Sequence, residues 1–397
     1  MSRPRPAPLL ALLPCFWVVS ALAVDVRGNI GAEYRHFYQS PALDSLSGAN
    51  VALSLEAEFH QTLGERDSLT VTPFLRWDQR DGERSHGDIR KLYWHRIERD
   101  WELRAGIAQV FWGVTESTHL VNIVNQVDLV ENPDGEDYLG QPMVHFTWIP
   151  ALGNLELFLL PGFRERTFPG PDGRPGVGVP VDNDRAIYQS GAGDRRTDAA
   201  LRWSASIDTW DIGIAHFSGT SREPRFDPDV FSTNGRGEQA LIPLYDVIEQ
   251  TSLDLQSTTA SWLWKLEAIT RTGQGERFAA AAGGFEYTFV GLGGSAMDLG
   301  VIGEYLYDER AHAPLDDDIA LGLRLAFNDF QSTELVAVLL ADRDNGSSTF
   351  YIEASRRIGD ALKLEFEARG TGNVDPRDPL EAIARDGFVQ LSLGYFF

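Results

Sequence analysis

The sequence predicts an all-β fold, a transmembrane antiparallel up-and-down β-barrel of about 18 strands. Three observations carry that prediction. Apolar and polar residues alternate with period two in segment after segment. The alternating segments are long, about 10 to 13 residues, as tilted bilayer-spanning strands are. The connections between them alternate between short and long.

The alternation is explicit in the residues. Val51, Leu53, Leu55, Ala57 and Phe59 interleave with Ala52, Ser54, Glu56, Glu58 and His60. Leu69, Val71, Pro73, Leu75 and Trp77 share a face, as do Trp262, Trp264, Leu266 and Ala268. Ile319, Leu321, Leu323, Leu325 and Phe327 repeat the pattern, and so do Leu362, Leu364, Phe366 and Ala368. Successive strand side chains point to opposite faces, so each segment has one apolar and one polar face. Aromatics gather at the segment ends, including Trp77, Trp101, Trp148, Trp210, Tyr287, Phe289, Tyr305 and Tyr307. Amphipathic rings are favoured at headgroup depth, so these positions read as interfacial girdles.

Strands are expected at 26–39, 49–62, 68–79, 87–98, 101–110, 142–149, 153–161, 197–207, 209–219, 249–258, 261–273, 278–289, 296–309, 317–328, 332–343, 347–358, 361–371 and 387–397. Overcounting one hairpin would make sixteen. Connections after even strands are short, near 63–67, 99–100, 150–152, 208, 259–260, 290–295, 329–331 and 359–360. The long ones, 111–141, 162–196, 220–248 and 372–386, all follow odd strands. With the first strand starting in the periplasm, the short turns are periplasmic and the long loops external.

The two ends address the chain to an outer membrane. Arg3 and Arg5 precede an apolar run from Ala7 to Ala23 that closes on Ala21-Leu22-Ala23. That order is a secretory signal, 1–23, with Val24 as the expected new N-terminus and 24–397 as a single barrel. The only cysteine, Cys15, would leave with the signal, so disulfides and thiolate metal sites are excluded. Net charge moves from −23 to about −25, which excludes nucleic acid as a partner. In the last strand Val389, Leu391, Leu393, Tyr395 and Phe397 face one way. Leu391, Leu393, Tyr395 and Phe397 resemble the C-terminal signal by which Gram-negative outer-membrane proteins reach the barrel assembly machinery.

The segment Leu103 to Gly113, which ends Phe111-Trp112-Gly113, resembles a strand-plus-Trp-Gly feature of large proteobacterial outer-membrane barrels. The stretches Asn125–Asn132 and Trp262–Ala268 strengthen the likeness. The resemblance implies a porin-like barrel and transfers no functional residue. It gives 111–141 a particular meaning, because general porins fold their third external loop into the pore. Here that connection holds Glu116, Asp128, Glu131, Asp134, Glu136 and Asp137 around apolar Leu120, Val121, Ile123 and Val124. An exposed loop has little use for such a run, so infolding is expected. Wall cations expected to face it include Arg76, Arg104, Lys265 and Arg324, which would set a transverse field across a constriction.

Other chemistry finds little support. The eight histidines are scattered without metal-ligand spacing, and Gly293-Gly294-Ser295 is not a nucleophile elbow. No enzyme activity and no cofactor are expected. Acidic external stretches at Asp308–Glu309, Asp316–Asp318 and Asp375–Asp378 could share divalent cations with lipopolysaccharide. The expected role is a channel for passive diffusion of small hydrophilic or charged solutes, and the pattern is compatible with a homo-oligomer. The alternatives are a polysaccharide export conduit, a barrel-type lipid hydrolase, or a structural or adhesive outer-membrane protein.

Overall fold

The computed structural model describes residues 24–41, 46–176, 179–233, 237, 239–310 and 313–397. The expected signal segment 1–23 lies outside the described residues.

Eighteen strands form one sheet. They are β1 (Asp25–Phe37), β2 (Ala49–Leu63), β3 (Asp67–Asp78), β4 (Gly87–Ile97), β5 (Trp101–Ala108), β6 (Gln141–Trp148), β7 (Asn154–Pro161), β8 (Thr197–Ile207) and β9 (Trp210–Thr220). There follow β10 (Val247–Thr259), β11 (Trp262–Thr272), β12 (Phe278–Phe289), β13 (Asp298–Asp308), β14 (Asp317–Ala326), β15 (Glu334–Asp342), β16 (Ser348–Ile358), β17 (Leu362–Gly372) and β18 (Phe388–Phe396). Each pairs antiparallel with the next. The sheet closes where β18 meets β1, with Tyr34 opposite Leu391, Ala32 opposite Leu393 and Ile30 opposite Tyr395. Gly28 and Phe397 exchange backbone hydrogen bonds of 2.9 and 3.0 Å beyond the last strand residue. Closure removes every free edge, which a sheet in hydrocarbon requires. The sixteen-strand alternative falls.

The outer face is apolar along the strands. Leu75, Leu321, Leu339 and Leu391 are about half exposed or more, although each sits in the middle of a regular strand. In water that would be an aggregation surface; in a bilayer it is the solvent contact. On β11 and β12, Trp262 stacks on Trp264 at 5.2 Å and meets Tyr287 at 4.6 Å, forming part of the aromatic belt.

One rim carries the short turns, among them 64–66, 98–100, 208–209, 260–261 and 359–361. The opposite rim carries 109–140, 162–196 and 221–246. The last of these is not the plain loop expected. Arg225–Thr233 and Gln239–Tyr245 form an antiparallel pair, and Ile187–Tyr188 of the neighbouring connection adds to it in parallel. Tyr188 and Tyr245 of this small sheet pack with Phe163 at ring distances of 4.8 to 6.0 Å. β5 also ends earlier than its pattern suggests. It leaves the sheet after Ala108, where Gln109 turns to bond the Tyr138 carbonyl.

Candidate functional site

The connection 109–140, between β5 and β6, is anchored to inward-facing side chains on many strands. Its apolar residues form one seat. Trp112, Val121, Ile123 and Val124 are all buried, against Met143, Phe158, Leu160, Ala200, Ala215, Phe217, Ile248, Ile269, Phe278 and Ala280. These wall residues come from β6 through β12. Barrel interiors are usually polar, so an apolar inner wall needs a cover, and the connection supplies it. Ala200, Ala215 and Ala280 are small where the segment approaches, which leaves room for Val121 and Ile123. Burying each such side chain contributes roughly 1.5–3 kcal/mol.

A connection without regular structure must satisfy its backbone by other means. Glu267 on β11, wholly buried, accepts from the amides of Val114 (2.7 Å), Thr115 (3.0 Å) and Val121 (3.1 Å), and from the Thr115 hydroxyl (2.8 Å). Glu304 on β13 accepts from the amides of Glu116 (2.8 Å) and Ser117 (2.9 Å). Asn125 donates to the carbonyls of Ala108 and Leu139, pinning the two ends of the connection together. Arg222, from the 221–246 connection, donates to the Val124 carbonyl at 3.1 Å.

The second seat is ionic. Asp128 pairs with Arg90 of β4 at 2.8 Å, and Glu131 pairs with Arg76 of β3 at 2.7 Å. Arg84 donates to the carbonyls of Val130 and Glu131 and also pairs with Glu33 and Asp78. Asp134 meets Arg369 of β17 at 2.8 Å. Glu116 meets Arg324 of β14 at 2.6 Å and Lys265 of β11 at 3.6 Å. His119 lies 2.8 Å from Glu136 and 3.7 Å from Glu267, with its ring 4.7 Å from Phe111. Burial by itself would lower the His119 imidazole; the two carboxylates outweigh burial and hold its pKa up to about 9.

Of the residues the sequence singled out, Arg76, Lys265 and Arg324 do meet the acidic segment. Arg104 makes no ion pair with it among the described residues; its guanidinium lies 5.0 Å over the Tyr93 ring. Asp128 and Glu131 are buried against arginines and do not line open space. Asp137 contributes its carbonyl, which accepts from the Asp128 amide at 2.8 Å. Arg84 and Arg90 escaped sequence reasoning. Between β3 and β4 the register slips, with Thr72 opposite Lys91 but Pro73 opposite Ile89, so Arg90 is the extra residue of a β-bulge. A bulge breaks period-two reading. Pro73, which cannot donate to a ladder, was the available signal.

Among the described residues, two groups bring possible metal-ligand atoms within 4.8 Å of one another, His86 with Asp128 and Glu131, and Asp134 with Glu353 and Glu367. Guanidinium groups already occupy both. Arg76 and Arg90 serve the first, and Arg369 bonds all three carboxylates of the second.

Two of the cavities that border the segment carry most of its charged lining. One, of about 440 Å³, opens toward the short-turn rim, past Ala326, Glu334 and Lys363. It is lined by Glu116, Asp134, Glu136, Glu334, Glu353, Glu365 and Glu367 against only Arg324 and Lys363. The other, of about 330 Å³, lies toward the long-connection rim and carries Arg166, Arg222, Arg271 and Arg310. Asp134 and Glu136 border both.

No family model and no curated protein matches the chain. Among solved structures it is similar to variants of the Rh. blastica porin. One is 10% identical, with a TM-score of 0.46, and another is 11% identical, with a TM-score of 0.45. Both likenesses cover 94% of this chain and 100% of the other. Strand count, closure, rim asymmetry and an apolar outer belt come from the chain's own geometry. By that geometry the chain is a porin-like, closed 18-stranded β-barrel of the outer-membrane type.

Proposed function

We propose that this protein is an outer-membrane channel for passive diffusion of small hydrophilic solutes, with a preference for cations set by the cavity below the 109–140 segment. The observation that carries the reading is the charge of that cavity, whose seven carboxylates outnumber its lining cations Arg324 and Lys363 even with Arg369, Lys265 and His119 pairing to them from beside it. Barrels of this size leave an aqueous interior unless something fills it. Here the segment covers one side of the interior and leaves the acidic side facing space. Rings of carboxylates select cations by raising their local concentration and repelling anions. Glu116, Asp134 and Glu136 contribute from the segment, and Glu353 and Glu365 from the wall.

Planar-bilayer recording of the refolded protein under a salt gradient is the test. A reversal potential on the cation side is expected, shrinking when Glu353 and Glu365 are both changed to Gln. Absence of conductance at every voltage tried would sink the channel. Conductance with an unchanged reversal potential in the double variant would remove the selectivity assignment. Enzymatic turnover by a non-conducting preparation would favour the lipid hydrolase instead.

A further inference from the structure

The cavity on the long-connection side holds an arginine without an anion. Arg166, in the 162–196 connection, lines that cavity. Its Nε donates to Gln126 Oε1 at 3.3 Å, and its backbone amide donates to the Tyr245 hydroxyl at 3.0 Å. Among the described residues no carboxylate lies within ion-pair distance of its guanidinium. The nearest candidate, Glu223, is already shared by Arg271 at 2.9 Å and Arg310 at 3.0 Å. Arg310 also takes Asp308 at 2.7 Å, and Arg222 is matched by Asp198 at 2.8 Å. Asp134 and Glu136 also border the cavity but are taken by Arg369 at 2.8 Å and His119 at 2.8 Å, which leaves Arg166 as the arginine there with no carboxylate of its own. A guanidinium largely withdrawn from water without a counter-charge is costly, and a solute that supplies the missing anion recovers that cost.

The rest of the cavity narrows the chemistry. Leu120, Ile123, Val127, Ile269, Leu306 and Leu315 make an apolar flank beside the arginines. One guanidinium without a counter-charge matches a monoanion, and its planar fork matches a carboxylate in two parallel hydrogen bonds. We infer that this cavity is a binding site for a small organic monocarboxylate with an apolar body, its carboxylate held by Arg166 and its body against Leu120, Ile123 and Ile269. A phosphate dianion would leave charge uncompensated there and gain nothing from the apolar flank. The site sits at the outer mouth, so it stands whether or not the lower cavity selects cations.

Titration calorimetry on the refolded full chain in detergent tests the assignment, with benzoate, benzamide and benzylamine as probes. Benzoate should bind at least tenfold more tightly than either of the others. In the Arg166→Gln variant its affinity should fall at least tenfold, with Arg166→Lys intermediate because it keeps the charge and loses the fork. Heat-modifiable gel migration reports that each variant barrel is folded. If Arg166→Gln fails to fold, the Arg166→Lys series and the benzoate-to-benzamide ratio decide. Equal binding of benzoate and benzamide by the unaltered protein would overturn the proposal, as would unchanged benzoate affinity in a folded Arg166→Gln barrel. Inorganic phosphate binding as well as benzoate would overturn the carboxylate assignment.

Discussion

The two sides of the barrel interior hold the same segment by different means. From β6 to β12 the inner wall offers an apolar patch beside Glu267, and Trp112, Val121, Ile123 and Val124 press against it. On β3, β4, β14 and β17 the inner wall offers the basic partners Arg76, Arg90, Arg324 and Arg369, which Glu131, Asp128, Glu116 and Asp134 meet. Packing is not directional and follows buried area, so the apolar side sets how deep the segment lies. Ion pairs and charge-assisted hydrogen bonds are directional, so the basic side sets where its edge stops. A barrel built this way can change the charge along its interior without loosening the seat opposite.

That contrast can be broken from either side. The largest effect is expected from Glu267→Ala, which leaves the amides of Val114, Thr115 and Val121 without their acceptor. At about 1–3 kcal/mol for each buried orphan, the apolar seat should no longer hold. Limited proteolysis should then cut within 109–140, and single-channel conductance should become larger and noisier; a trace identical to the parent would refute the anchoring role. Arg90→Ala strands Asp128 in a buried place and should cost about 3–5 kcal/mol. Its signature should differ, with altered conductance near the Asp128 edge but continued protection of Trp112 in quenching experiments. Loss of protection at both places would mean the two seats act as one. Ala215→Leu, which overfills the wall beneath the segment, should cost about 1–3 kcal/mol. Hydrogen exchange at the Val121 amide reports it, and no change there would place Ala215 outside the seat.

The smallest effect is a matter of pH. The folded pKa of His119, about 9, lies above the ordinary histidine value of about 6.5. The stability supplied by its charge is therefore complete below about 6.5 and is lost as pH rises through about 9. Conductance noise should grow between neutral pH and pH 10 in the parent. In His119→Gln that rise should be absent. An equal rise in both would assign it to other groups.

Much of the architecture was legible because it is local. Alternation in Leu321–Phe327 or Leu362–Ala368 states which face is apolar, and short turns such as 208–209 and 260–261 state which rim they occupy. The apolar run Leu120, Val121, Ile123 and Val124 was likewise readable as a surface wanting cover. Harder to read were the partners. Glu267 lies 146 residues from Val121 in the chain, and nothing near either one announces the other. Arg90 was hidden by a bulge that reverses its face, and Arg104 pointed inward as expected but toward Tyr93.

By itself, the sequence determined a closed, up-and-down membrane barrel with its long connections on one rim. Period two and turn spacing need only neighbouring residues to be expressed. Tertiary structure alone decided that Asp128 and Glu131 serve as ties, that Glu116, Asp134 and Glu136 border open cavities, and that Arg166 is left without an anion. Closing the sheet brings side chains from strands far apart in sequence around one interior, and which charges cancel there depends on distances that no local pattern encodes.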